Sequence, residues 1–275
     1  MKKIKKPSLA IMLIYAFLII TTITMLIPYY WMLVTSIKPQ DEIQTYPPRF
    51  YVEKPTLEPY KDLFRLIPMA RYLFNSFYMC FWVVLFKVFA CSLAGYAFAK
   101  HRFRGRNVIF MLFLGSLMIP WQVNIIPGFL LVKSLGWINT FKGLIIPTMG
   151  WGAFGIFLTR QYIYSIPDDL IDTARIDGCG EFRIYLHVIL PLIKPALATL
   201  AIFTFIQQWN NFVWPLVITT TKEMRTIPVG LAVLSSQTSS NFGMLMAAAV
   251  VATIPMLLVF VVFQKYIIKG MSLQA

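Results

Sequence analysis

The chain is poor in the residues that carry chemistry in water. It has three cysteines, two histidines and eleven carboxylates in 275 residues. Cys80 and Cys91 fall on one apolar segment, about 16 Å apart if that segment is helical, too far to bridge. Cys179 lies in a charged loop, so all three are expected as free thiols and no disulfide framework exists. His101 and His187 cannot make a zinc-type cluster. No G-x-x-x-x-G-K-[S/T] run occurs, so the chain has no P-loop of its own. None of the carboxylates falls in a long apolar run, which disfavours a proton relay through a membrane. No nucleophile–base pair stands out, and no cofactor bound by this chain is expected. There is no internal repeat.

What is present is apolar. Hydrophobic residues make up 58% of the chain and charged ones 13%, far from the half-apolar, quarter-charged makeup of a soluble domain. A spanning helix needs about 20 mainly apolar residues. Six segments qualify: Leu9–Val34, Leu73–Ala99, Val108–Val132, Gly143–Tyr164, Val188–Ile218 and Leu245–Ile268. The fifth exceeds one span, so its first residues are expected in the interface or the preceding loop. The expected fold class is an all-α membrane protein with six transmembrane helices and no separate soluble domain.

A net charge of +14 could suggest nucleic acid, but its placement argues for a bilayer and no nucleic-acid partner. Lys2, Lys3, Lys5 and Lys6 precede the first span, and Lys100, Arg102, Arg104 and Arg106 crowd the turn between spans two and three. Basic residues in short loops mark the cytoplasmic side, which puts both termini there. The long first outer loop departs from this pattern, with six basic residues offset by Asp41, Glu42, Glu53, Glu58 and Asp62. Its many prolines predict little regular helix. The first apolar run meets Pro28-Tyr29-Tyr30-Trp31 rather than an A-x-A site, so an uncleaved first span is expected.

Five of the eleven carboxylates (Asp168, Asp169, Asp172, Asp177 and Glu181) gather in one short stretch between two spans. Ser165-Ile166-Pro167-Asp168 predicts a capping-box-like helix start. Thr173 and Ala174 are small enough for another surface to approach, and Gly178 can end the helix in the left-handed conformation. Two readings stay open: a docking knob, or a plain turn helix on the membrane surface.

The spacing Asp172-Thr173-Ala174-x3-Gly178-x9-Val188-x-Leu190-Pro191 resembles the E-A-A-x3-G-x9-I-x-L-P loop of ATP-binding-cassette importers. Pro28-Tyr29-Tyr30-Trp31, Ser36-Ile37-Lys38-Pro39, Asn75-Ser76, Gly95-Tyr96-Ala97-Phe98-Ala99, Phe103-Arg104-Gly105, Ile119-Pro120, Trp209-Asn210 and Pro215-Leu216 follow in order as in MalG-like permeases of carbohydrate importers. The resemblance covers essentially the full chain. It departs at Asp172 and Thr173, where the family has Glu and Ala, and in the tail Gly270–Ala275.

The resemblance implies a type I importer permease fold, with residues 1–72 as the first span and outer loop, 73–265 as the core with its loop at 165–191, and 266–275 as a cytoplasmic tail. It implies a transport subunit, not an enzyme, in a prokaryotic cell membrane, moving a carbohydrate, polyol or glycerol phosphate by alternating access. The implied partners are a second homologous permease, two ATPase subunits that use ATP and Mg, and an extracellular solute-binding protein. Asp172, Thr173, Ala174, Asp177 and Gly178 would meet the ATPase. Ser235, Ser236, Gln237, Thr238, Ser239, Ser240 and Asn241, a run with the composition of a flexible polar tip, would reach into the binding protein. The alternative class is a secondary transporter or channel with no ATPase.

Span five carries Thr204, Gln208 and Asn211 at helical spacing on one face. Amides hydrogen-bond sugar hydroxyls, so these could line a translocation path, or they could be polar glue between helices. Gln122 and Asn124, between Pro120 and Pro127 on a span expected to break, are similar candidates. Gly150-Trp151-Gly152-Ala153-Phe154-Gly155 matches G-x-G-x-x-G but sits in an apolar span, where small residues serve close helix packing. Lys87 is the one ionisable residue deep in a span, and the sequence assigns it no role.

Overall fold

The computed structural model describes residues 9–237 and 241–272. By internal contacts the chain divides into two compact units, Met1–Ile67 with Val233–Thr253 and Pro68–Ala232 with Ile254–Ala275.

In the first unit, α1 (Leu9–Ser36) has no charged residue and extends about 42 Å. Its threonines turn their hydroxyls inward: Thr21, Thr22 and Thr24 donate to the carbonyls four residues back at 2.8, 2.7 and 2.9 Å. These three hydroxyls are thereby satisfied within the helix. The proline-rich segment that follows is more regular than its composition predicts. It contains α2 (Gln40–Ile43) and α3 (Glu58–Leu66). Pro59 starts α3 instead of breaking it, because a first-turn proline loses no intrahelical bond. Buried Glu42 accepts from the Glu53 amide at 3.1 Å, and the Ser36 and Tyr60 hydroxyls meet at 2.9 Å.

The second unit is built on α4 (Met69–Lys100), 32 residues without a break. Asn75 and Ser76 fasten its first turns: the Asn75 amide donates to the carbonyls of Glu223 and Arg225 at 2.7 and 2.9 Å, and Ser76 accepts from the Ile227 amide at 2.9 Å. The other spanning segments here are bent. α5 (Arg106–Ser116) is followed by a 3-10 turn at Trp121–Asn124 and α6 (Ile125–Ser134), with a 91° bend where Pro120 interrupts. α7 (Phe141–Met149) and α8 (Ala153–Tyr164) meet at 46° across Gly150–Gly152. α9 (Asp168–Ile176) is the short charged helix. α10 (Glu181–Leu192), with a π turn at Tyr185–Ile189, meets α11 (Lys194–Trp209) at 80°. The first residues of the fifth expected span thus belong to the loop side of this bend. α12 (Val213–Ile218) completes the set. α13 (Ile227–Gln237) and α14 (Phe242–Ser272) run along the chain through the division between the units.

Among the described residues, three helices are long and apolar enough to cross a membrane. Each bent pair would bring the total to six if counted as one span. Cys91 and Gly95 of α4 meet Gly155 and Thr159 of α8 in a close helix crossing. A Cβ on Gly155 would stand 2.7 Å from the Cys91 sulfur, and one on Gly95 would stand 2.3 Å from Thr159 Oγ1. The glycine-rich stretch therefore packs helices, as expected in an apolar span. Cys80, Cys91 and Cys179 are free thiols.

Candidate docking loop and solute cavity

The charged loop rests on the end of α4. Lys100 donates to the Ile166 carbonyl at 2.5 Å and to Asp168 at 2.6 Å. The Lys100 ammonium holds the Asp168 carboxyl below the usual carboxylate range. This replaces the capping box expected from Ser165: the residue preceding α9 is Pro167, with no side-chain cap, and the Ser165 hydroxyl donates backwards to Tyr162 at 2.8 Å. Lys100 anchors the start of α9 through Asp168 and the carbonyl before it, but as a donor it does not accept from the first-turn amides as a cap would. Arg175 donates to Asp172 at 2.9 Å and to Glu181 at 2.8 Å, and the hydrogen bond to Glu181 is the main reason its guanidinium is held above its ordinary range. Glu181 also accepts from the Tyr96 hydroxyl of α4 at 2.7 Å.

Gly178 has φ +79°, as its place in the sequence predicts. Its amide donates to Arg175 at 3.0 Å and the Cys179 amide to Ala174 at 2.9 Å, the two bonds of a Schellman ending. Of the expected docking residues, Asp172, Thr173, Asp177 and Gly178 are exposed. Ala174 is not on that face. It is half-buried and packs with Ile171 against a cluster of Tyr96, Ile163, Tyr185 and Ile189. Sequence reading missed Ile176, an apolar side chain 86% exposed at the tip of the loop. Its signal was an isoleucine between Arg175 and Asp177, off the buried side of the helix.

A cavity of about 630 Å³ opens beside the middle of α4. Gln207, Gln208, Asn210 and Asn211 come to it from the end of α11, Asn124 from the bend before α6, and Thr148 from α7. Trp121, Trp151 and Trp214 supply flat apolar faces, and Lys87 of α4 completes the lining. Gln208, Asn211 and Asn124 are therefore together, as the path reading requires. Thr204 and Gln122 are not among the lining residues. Thr204 is buried one turn further down α11. The expected Thr204–Gln208–Asn211 face fails because α11 ends at Trp209. Asn211 lies beyond it in a turn, its side chain donating to Gln208 Oε1 at 3.3 Å. That same ending frees Asn210 to turn to the cavity, and Gln207, still within α11, lines it as well. Trp214 is fixed by its indole N–H, which donates to the Gly143 carbonyl at 3.1 Å, and Gly128 lies against its ring, where a Cβ would stand 3.3 Å away.

Ser235, Ser236 and Gln237, expected in a flexible loop, are the last residues of α13. The Asn241 side chain accepts from the Met244 amide at 3.0 Å and caps α14. Thr238, Ser239 and Ser240 lie outside the described residues.

With this geometry in place, comparison with known proteins is decisive. The profile of the binding-protein-dependent transport system inner membrane component family matches residues 88–273, more than half of the chain. The chain belongs to that family. This permease is 34% identical over 259 residues to the arabinooligosaccharides transport system permease protein AraQ of Bacillus subtilis, covering 93% of this chain and 92% of the relative. It is also 34% identical over 260 residues to the trehalose/maltose transport system permease protein MalG of Thermococcus litoralis, covering 92% of each. A crystal structure of a bacterial ABC transporter involved in alginate import has a chain of the same fold, at a TM-score of 0.82 and 24% identity, over 93% of this permease and 95% of that chain. The permease is a multi-pass, all-α transport subunit, similar to the permeases of sugar ABC transporters.

Proposed function

We propose that this permease forms half of the translocation pathway of an ATP-driven, binding-protein-dependent importer for a carbohydrate or related polyol, in a prokaryotic cell membrane. The observation that carries the reading is the mid-span cavity, where amides converge between indole faces. Amide groups exchange hydrogen bonds with hydroxyls, and flat aromatic faces cover the apolar side of a sugar ring. The relatives named above are transport permeases for arabinooligosaccharides and for trehalose and maltose, and others are named for sn-glycerol-3-phosphate. All of these solutes are polyhydroxylated.

In this reading the exposed side of α9, with Asp172, Thr173, Asp177, Gly178 and the added Ile176, seats in a cleft of an ATPase subunit. Two such subunits hydrolyse ATP with Mg, and a second, homologous permease faces this one. Closure of the ATPases then moves the two permeases between outward- and inward-open states. A solute-binding protein delivers the sugar at the outer side, where the stretch from Ser235 to Asn241 meets it. Uptake of labelled oligosaccharide by cells carrying the complete importer tests the proposal. Replacing Gln208 and Asn211 together by Leu should abolish uptake while the subunits still assemble. Uptake at the normal rate by that variant would refute the path.

A further inference from the structure

Lys87 was left without a role by the sequence. It lies near the middle of α4, about 20 Å along the helix from Lys100. Only 4% of its surface is exposed, yet it lines the cavity. Among the described residues its ammonium has no hydrogen-bond or ion-pair partner, and no carboxylate lines the same space. An ammonium facing a membrane-embedded cavity without a counter-charge is unfavourable, and an ionisable group inside a membrane is by default a candidate functional site.

A second observation points the same way. The end of α4 remote from the charged loop is basic. Arg71 is there, and Asn75 ties Lys222, Glu223 and Arg225 to it. Asn139 joins the turn between Lys133 and Lys142 to the Ile218–Thr221 stretch. Among the residues so joined, Glu223 is the one acid against Arg71, Lys133, Lys142, Lys222 and Arg225. A cluster of basic residues at one end of the helix that carries Lys87 raises the local concentration of anions. A neutral sugar would use neither feature.

We infer that the solute of this permease carries an oxyanion, as the carboxylate of a sugar acid or the phosphate of a polyol, and that Lys87 receives it in the cavity. This rests on the proposed import of carbohydrate and narrows its substrate class. The amides and indoles hold the hydroxylated body of the solute, and Lys87 supplies its counter-charge halfway across the membrane.

The test uses the complete importer, with its own partner subunits and binding protein, in vesicles loaded with ATP. The probes are a neutral arabino-oligosaccharide, a galacturonate oligosaccharide and glycerol phosphate. The wild type should import an anionic probe in preference to the neutral one, and the two anionic arms tell a carboxylate from a phosphate. Lys87→Met should lower uptake of the preferred anion by about 30-fold or more, the usual loss when one member of a buried charge pair is removed. Lys87→Arg should retain most of it. In a chain lacking its three native cysteines, Lys87→Cys should regain uptake when an aminoethyl reagent restores the positive charge, and not when a neutral methyl reagent is used. Import of neutral sugar alone, unaffected by Lys87→Met, would overturn the inference and leave carbohydrate import standing. Import of none of these solutes would instead count against the carbohydrate reading itself. Loss of subunit assembly in both Lys87→Met and Lys87→Cys, with assembly intact in Lys87→Arg, would assign the charge to a subunit contact and equally overturn the inference.

Discussion

Lys100, the last residue of α4, and Asp168, the first of α9, lie with ammonium and carboxylate 2.6 Å apart, the lysine almost wholly buried and the aspartate exposed. The lysine also holds the Ile166 carbonyl just before the helix. One side chain thus fixes where the charged helix starts. Asp168 is held below the ordinary carboxylate value of about 4 by this contact, so its contribution is fully present above that value and is lost as pH falls through the lowered one. Amide exchange over Asp168–Ile176 should be faster in Asp168→Asn than in the wild type near neutral pH, and the two should converge only as pH falls below the ordinary carboxylate range. A difference that persists unchanged into acid would show that the contact does not order the helix.

Gly178 gives a second expectation. Nothing lies within 4 Å of a Cβ built there, so the obstacle to substitution is conformational and not steric. Gly178→Ala should cost the helix ending about 1–2 kcal/mol, and Gly178→Asn should cost less because asparagine visits the left-handed region more readily. Co-purification of the ATPase should fall in the same order. Equal loss for both variants, or none for either, would separate docking from this turn.

Gly95 should behave differently. A Cβ there would meet Thr159 Oγ1 at 2.3 Å and the Arg160 amide nitrogen at 2.9 Å, so Gly95→Ala should destabilise the detergent-solubilised protein strongly. Adding Thr159→Ala should recover part of the loss, since the backbone contact remains. Gly115→Ala, with open space around it, should leave the melting temperature unchanged or slightly raised, because alanine favours helix over glycine.

The cavity can be mapped by chemistry. In a background without the native cysteines, single cysteines at Asn124, Gln207, Gln208, Asn210 and Asn211 should react with small water-soluble thiol reagents. A cysteine at buried Thr204 should react far more slowly. Reaction at Thr204 as fast as at Gln208 would mean that the polar face continues down α11 as an ordinary helix.

The sequence made some of this legible and hid the rest for physical reasons. Gly178 could be read because a glycine after a short capped helix has few other uses. The break near Gln122 and Asn124 followed from Pro120. Asn211 was placed beside Gln208 by a periodicity that does not apply, since the helix stops at Trp209; Asn210 and Asn211, residues that suit a helix end, were read for their side-chain chemistry alone. Ala174 is small whether a helix is to be approached from outside or packed from inside, so residue type could not tell its face. Lys100 and Asp168 are 68 residues apart, and no local pattern relates them. Lys87 stood out as a charge among apolar residues, but only the convergence of α4, α6, α7 and α11 shows that it meets a cavity.

The unbroken course of α4 has a mechanical consequence. It is the stiff rod of its unit, while the segments around it bend at Pro120, at Gly150–Gly152 and at Ile193. Its lower end is gripped by the loop at two places, Lys100 to Asp168 and Tyr96 to Glu181. Whatever pushes that loop therefore turns a lever, and Lys87 sits partway up its arm. A tilt of about 10° at the base would carry Lys87 sideways by roughly 3–4 Å, about the length of a hydrogen bond. A grip on a charged solute could be made or broken by a swing that small, with no helix having to unwind.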